Sequence, residues 1–98
     1  MEEIIPTPTM GEILETEFLK PYGLTPEATA TAIHVPVSRI RDILDGRRHV
    51  AAEMSIRLGR LFGVSDGYFP TLQNDIDMRA LRQSLATELE GIRPVARR

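Results

Sequence analysis

Cysteine is absent from all 98 residues, so disulfides and thiolate metal sites are excluded and a reducing compartment suits the chain. No apolar run approaches the ~20 residues that a membrane span requires. The opening Met1-Glu2-Glu3 is acidic where a secretory signal is basic. A cytoplasmic protein with no membrane partner is therefore expected. Lysine occurs once, as Lys20, and histidine twice, as His34 and His49, with no nucleophile at a suggestive spacing. Neither catalysis nor a cofactor is expected from such a set. A metal-ligand role for His34 finds little support, with no cysteine and one other histidine in the chain. Internal repeats and low-complexity segments are also missing.

What is present fits one globular domain with a modest core: 42% hydrophobic and 27% charged residues. The net charge of −2 hides an uneven distribution. Residues 1–30 carry six acids and one lysine, residues 31–60 six arginines and three acids, and residues 61–98 five of each sign. Positive charge is thus concentrated in the middle third, and distribution matters more than the sum for an anionic partner.

The middle third holds the stretch around which the chain is organised, Val35-Pro36-Val37-Ser38-Arg39-Ile40-Arg41-Asp42-Ile43-Leu44-Asp45-Gly46. Ile40, Ile43 and Leu44 share one face of a helix, and Ser38, Arg39, Arg41, Asp42 and Asp45 lie on the other. Gly46 stands where a helix stops, and Arg47-Arg48-His49 follow at once. A short amphipathic helix with arginines on its wet side fits the major groove of DNA. It equally suits a solvated helix of a small bundle, and these twelve residues do not separate the two.

Before this stretch, residues 1–8 contain two prolines and no periodicity and read as a flexible arm. A helix is expected from about Thr9 to the Pro21/Gly23 stop, with Met10, Ile13, Leu14 and Phe18 as its apolar stripe. Thr25-Pro26-Glu27 has the signature of a helix start, and the helix runs to about Ile33. His34 occupies the tight turn before the central helix, a place for glycine. A fourth helix is expected over about Ala52 to Phe62 with Gly63 as its stop. Because Pro70 interrupts the amide ladder, one turn over 66–69 and a long helix over about 70–90 are expected. Tyr68, Phe69, Leu72 and Ile76 form one apolar stripe on it. Met78, Leu81, Leu85 and Leu89 form another, displaced around the helix and read as a dimerisation surface. Residues 91–98 read as a flexible tail after a domain spanning 9–90.

Several runs resemble HigA-type antitoxins, the VapI group of the phage-repressor-like (XRE) helix-turn-helix family. They are Pro8-Thr9-Met10-Gly11-Glu12-Ile13-Leu14, Glu17 to Thr25, Val37-Ser38-Arg39-Ile40, Asp45-Gly46-Arg47-Arg48, Arg57 to Gly63 and Leu72-Gln73-Asn74. The likeness covers about residues 8–85. It implies an all-α, five-helix lambda-repressor-like fold with an extended C-terminal helix. It also implies a homodimer that binds double-stranded operator DNA, represses its own operon and neutralises a HigB-like toxin, an RelE-like mRNA interferase.

Carried onto this chain, the resemblance places Val37, Ser38 and Asp42 toward bases, flanked by Arg39 and Arg41. Thr25, Arg47 and Arg48 fall toward phosphate. The chemistry agrees: arginine forks onto guanine, aspartate accepts from cytosine N4, and valine packs on a thymine methyl. This chain departs from the family at the turn glycine (His34), the polar cap of the third helix (Pro36), a leucine of the second helix (Thr29) and the threonine before the fourth (Ala51). It also has Tyr68-Phe69-Pro70 where the family has a tryptophan-containing segment. The departures bear on where the third helix starts and how the fifth begins. Two other readings share the same residues: a helix-turn-helix regulator without a toxin, and an interaction module that has lost DNA binding.

Overall fold

The computed structural model describes residues 8–96. Residues 1–7 of the expected arm and 97–98 of the expected tail lie outside the described residues. The elements are α1 (Met10–Ile13), a π-helical segment (Leu14–Leu19) that continues it without interruption, α2 (Pro26–Ile33), α3 (Val37–Leu44), α4 (Ala52–Phe62), α5 (Tyr68–Ser84) and α6 (Ala86–Glu90). No strand occurs among the described residues, in agreement with the all-α expectation.

Three details differ from the sequence expectation. The first helix is not α-helical throughout. From Leu14 it widens to π geometry, seen in the Lys20 amide donating to the Glu15 carbonyl five residues back at 2.9 Å. The wider turn lets Leu14, Phe18 and Leu19 all be buried, where a 3.6-residue period would rotate one of the adjacent pair outward. The last long helix begins at Tyr68, not near residue 70, and contains Pro70 as its third residue. First-turn amides have no intrahelical partner, so a proline there costs no hydrogen bond. That helix is also interrupted: α5 ends at Ser84 and α6 resumes at Ala86, with Leu85 at φ −97°, ψ 2° between them. The Ser84 hydroxyl donates to the Leu81 carbonyl at 3.2 Å, a back-bond of the type that bends helices.

Helix ends account for the other turns. Val35 N–H donates to the Ala30 carbonyl at 3.0 Å and His34 N–H to that of Thr31 at 3.3 Å, a Schellman motif with His34 in the left-handed region at φ 63°. Arg47 and Gly46 close α3 in the same way, donating to the carbonyls of Asp42 and Ile43 at 2.8 and 3.1 Å. Among the described residues, only at His34 is the left-handed residue something other than glycine.

The core joins Met10, Leu14, Phe18 and Leu19 from the first helix, Ala30 and Ile33 from α2, and Ile40 and Ile43 from α3. Val50, Met54 and Leu58 come from the α4 side and Phe69 from α5. Among the described residues two polar side chains are fully buried, and both are satisfied: Thr29 donates to the Thr25 carbonyl at 2.9 Å, and Ser55 to that of Asp66. Thr29 is thus accommodated in the core by bonding within its own helix. The α-carbon radius of gyration is 17.1 Å, against about 13 Å for a compact chain of this length. The excess reflects α5 and α6, which run away from the core after Asp77 with exposed residues all round.

Gly11 sets the spacing between α1 and α3. A Cβ built there would lie 2.4 Å from the Leu44 carbonyl oxygen and 2.7 Å from that of Ile43. Elsewhere in a helix glycine-to-alanine stabilises by ~1 kcal/mol. Here Gly11→Ala is expected to destabilise by about 2 kcal/mol, as overpacking does. Urea unfolding monitored by circular dichroism checks the sign, the midpoint falling while the slope is unchanged.

Candidate nucleic-acid interface

The α2–turn–α3 unit is built from its caps. Thr25 Oγ1 accepts from Ala28 N–H at 3.0 Å, and Pro26 takes the first helical position, where no amide is needed. At the other end the Arg57 guanidinium reaches across from α4 and donates to the Ile33 carbonyl at 2.8 Å, while its Nε meets Glu53 at 3.2 Å. A charged donor therefore closes the last turn of α2 just before His34 reverses the chain. Pro36 precedes α3 in extended conformation with no side-chain cap, and α3 starts at Val37, which fixes the start that the family departures left open.

Ile40 and Ile43 are buried, and Val35, Val37 and Leu44 pack partly against the core. Val37 is thus shared between core and surface. Ser38 is exposed and central on the wet side, with Asp42 half-buried one turn further along. Arg39 and Arg41 project on opposite flanks of that line, since two residues separate by ~200° around a helix. Their circumstances differ. Arg39 is half-buried and makes no ion pair among the described residues, whereas the exposed Arg41 is paired with the Glu27 carboxylate on the first turn of α2. The structure therefore turns Arg41 toward α2, away from the line of Ser38 and Asp42.

Beyond α3, the amides of Arg47 and Arg48 both donate to the Asp42 carbonyl, at 2.8 and 3.2 Å. This folds the loop tightly, and the buried Val50 anchors its far end. Both residues are exposed just past the helix, and neither forms an ion pair among the described residues. Thr25, Glu27 and Arg41 thus cluster at the α2 end of the surface, Ser38 and Asp42 form its middle, and Arg47 and Arg48 lie past its carboxyl end. Met78, Leu81, Leu85 and Leu89 lie on the projecting part of α5 and α6, exposed by 42, 52, 38 and 44%. Among the described residues no group of three or more histidines or acids could hold a metal ion.

Glu27 is the residue that sequence spacing does not point to. The start signal Thr25-Pro26-Glu27 places it in the first turn of α2, but a pair fourteen positions apart on two helices has no periodic signature.

Fold and surface together define a helix-turn-helix protein. Residues 17–69 match the family model described as helix-turn-helix. Virulence-associated protein I of Dichelobacter nodosus is 40% identical over 73 residues, covering 74% of this chain and 68% of the relative. Among solved structures, Pseudomonas aeruginosa antitoxin HigA with the higBA promoter superposes with a TM-score of 0.80 at 32% identity, over 92% of this chain and 99% of that one. Antitoxin GraA in complex with its operator superposes with a TM-score of 0.79 at 31% identity, over 98% and 99%. The chain belongs to the helix-turn-helix family, in its HigA-type antitoxin branch, which is not enzymatic.

The left-handed His34 offers a direct test of the turn. A non-glycine residue there costs ~1–2 kcal/mol, part of which glycine returns as unfolded-state entropy. His34→Gly is expected to stabilise the protein by a net ~0.5–1 kcal/mol, raising the melting temperature by roughly 2–8 °C. Differential scanning calorimetry checks it.

Proposed function

We propose that this protein is the antitoxin of a type II toxin–antitoxin module. In this reading a homodimer binds a palindromic operator upstream of its own operon in the bacterial cytoplasm, at the nucleoid. It represses that operon and neutralises a HigB-like mRNA interferase encoded beside it. One observation carries the reading: two exposed arginines follow directly on the wet side of α3, in a fold shared with HigA solved with the higBA promoter and GraA solved in complex with its operator. Ser38, Arg39 and Asp42 are the base-facing side chains, with Val37 contributing its exposed edge. Thr25, whose hydroxyl hydrogen is left over after capping α2, joins Arg47 and Arg48 as a phosphate contact. Arg41 joins neither group directly while Glu27 holds it.

The acidic residues 1–30 would be repelled by phosphate and face away from it, or toward a basic protein. A toxin that acts on RNA is expected to be basic. The primary test is fluorescence anisotropy on the DNA immediately upstream of this gene, with and without the neighbouring gene product. Specific binding supports repression, and altered binding by a co-purifying neighbour supports the toxin partner. A protein that binds DNA but no neighbour is a regulator alone.

Arg47→Ala and Arg48→Ala are each expected to weaken binding to operator and scrambled DNA about equally. Each should flatten the slope of log affinity against log salt by about 0.9, the loss of one phosphate contact. Titrations at several salt concentrations read this, and an unchanged slope removes the residue from the phosphate set.

The exposed stripe Met78, Leu81, Leu85 and Leu89 is the proposed dimer surface. Leu85→Glu is expected to give monomers with the helix-turn-helix intact. Analytical ultracentrifugation with circular dichroism checks both points, and a dimer that survives places the interface elsewhere.

A further inference from the structure

The Glu27–Arg41 pair bridges the first turn of α2 and the flank of α3, inside the surface assigned to DNA. Both side chains are more than half exposed, at 57% and 56%, so neither burial nor packing requires the pair for folding. A carboxylate is a planar acceptor that an arginine treats much as it treats a phosphate. Thr25, two residues before Glu27, begins the helix end that the DNA-binding reading turns toward the sugar-phosphate backbone. Arg39, on the opposite flank of α3, has no such acid among the described residues, so the restraint applies to one arginine only.

We propose that Glu27 is a specificity-determining residue: its carboxylate stands in for phosphate and holds Arg41 off the DNA backbone, lowering sequence-independent affinity. The inference rests on the DNA-binding reading above. Phosphate contacts strengthen binding to every sequence alike and carry no sequence information. An arginine withdrawn from phosphate therefore weakens non-specific binding, where the backbone supplies nearly all of the affinity. Specific binding retains its base contacts through Ser38, Arg39 and Asp42.

The test is a double-mutant cycle of Glu27→Gln and Arg41→Ala, with the full chain, on upstream DNA and on a scrambled duplex across a salt series. Circular dichroism melting confirms that each variant folds. Glu27→Gln is expected to tighten binding to scrambled DNA by roughly three- to tenfold and to steepen its salt slope by about 0.9, the signature of one gained phosphate contact. The gain on upstream DNA is expected to be smaller. In the Arg41→Ala background the steepening should vanish and the gain shrink to within about twofold.

An equal gain in both backgrounds overturns the proposal, since Glu27 would then act as a simple repulsive charge. No gain in either background overturns it too, by placing the pair outside the footprint. If the unsubstituted protein binds neither duplex, the DNA-binding reading itself fails, an outcome distinct from binding with additive effects.

Discussion

The position of α3 depends on a contact that no side chain mediates. Gly11 brings the first turn of α1 against the last carbonyls of α3, so close that a methyl group there would overlap the Leu44 oxygen. The amino end of a helix carries partial positive charge and the carboxyl end partial negative charge, so this end-to-end approach is favourable. It also fixes how far Leu14 sinks between Ile40 and the rest of the core, where it is fully buried. The π-helical turn follows from the same demand. With α1 pinned at Gly11, the segment must still bury Leu14, Phe18 and Leu19, and widening the turn achieves this without moving the pinned end. The side of α3 that faces outward is therefore decided from behind.

The charge pattern follows from that placement. A protein of net charge −2 would be repelled by DNA if its charges were smeared evenly. They are not: three of the six acids of residues 1–30 sit on the first helix, and four of the six arginines of 31–60 lie on α3 and its following loop. Within the cluster the arginines are not equivalent. Arg57 is consumed by the Ile33 carbonyl and Glu53, and Arg41 is engaged by Glu27. Arg47 and Arg48 make no ion pair among the described residues. Counting arginines thus overstates the charge offered outward, and geometry decides which guanidiniums remain available.

Much of this was legible in the residues. Thr25-Pro26, Gly46 and Gly63 mark helix ends by local chemistry, and α2, α3 and α4 fall where those marks put them. The alternation of apolar and polar positions on α3 correctly separates Ile40 and Ile43 from Ser38 and Asp42. What escaped has a common cause. The π-turn, the break at Leu85 and the Glu27–Arg41 pair depend on tertiary neighbours or on bonds without a periodic pattern. Pro70 misled for the opposite reason. It was read as a helix breaker, yet in a first turn it lacks only an amide that would have no partner. The departures at His34, Pro36 and Ala51 show the same tolerance: the backbone keeps the helix boundaries even where the usual capping side chain is gone.

A single copy of α3 is a short reader. Ser38, Arg39 and Asp42 are its proposed base-facing polar groups, and a good bidentate base contact discriminates by ~1–3 kcal/mol. Specific binding typically exceeds non-specific binding by ~4–10 kcal/mol, more than these three side chains supply comfortably in one protomer. Two-fold repetition closes that gap, and the proposed dimer gives the projecting rod its purpose. Its apolar stripe crosses the bend at Leu85, so a partner that packs on Met78 and Leu81 must follow the same change of direction to reach Leu89. In a two-fold assembly such a bend fixes the angle between protomers, and with it the separation of the two α3 helices, which must match about 34 Å for successive major grooves. On this reading α3 determines which bases are read. The Ser84–Leu81 back-bond, remote from any DNA, determines how far apart the two half-sites lie.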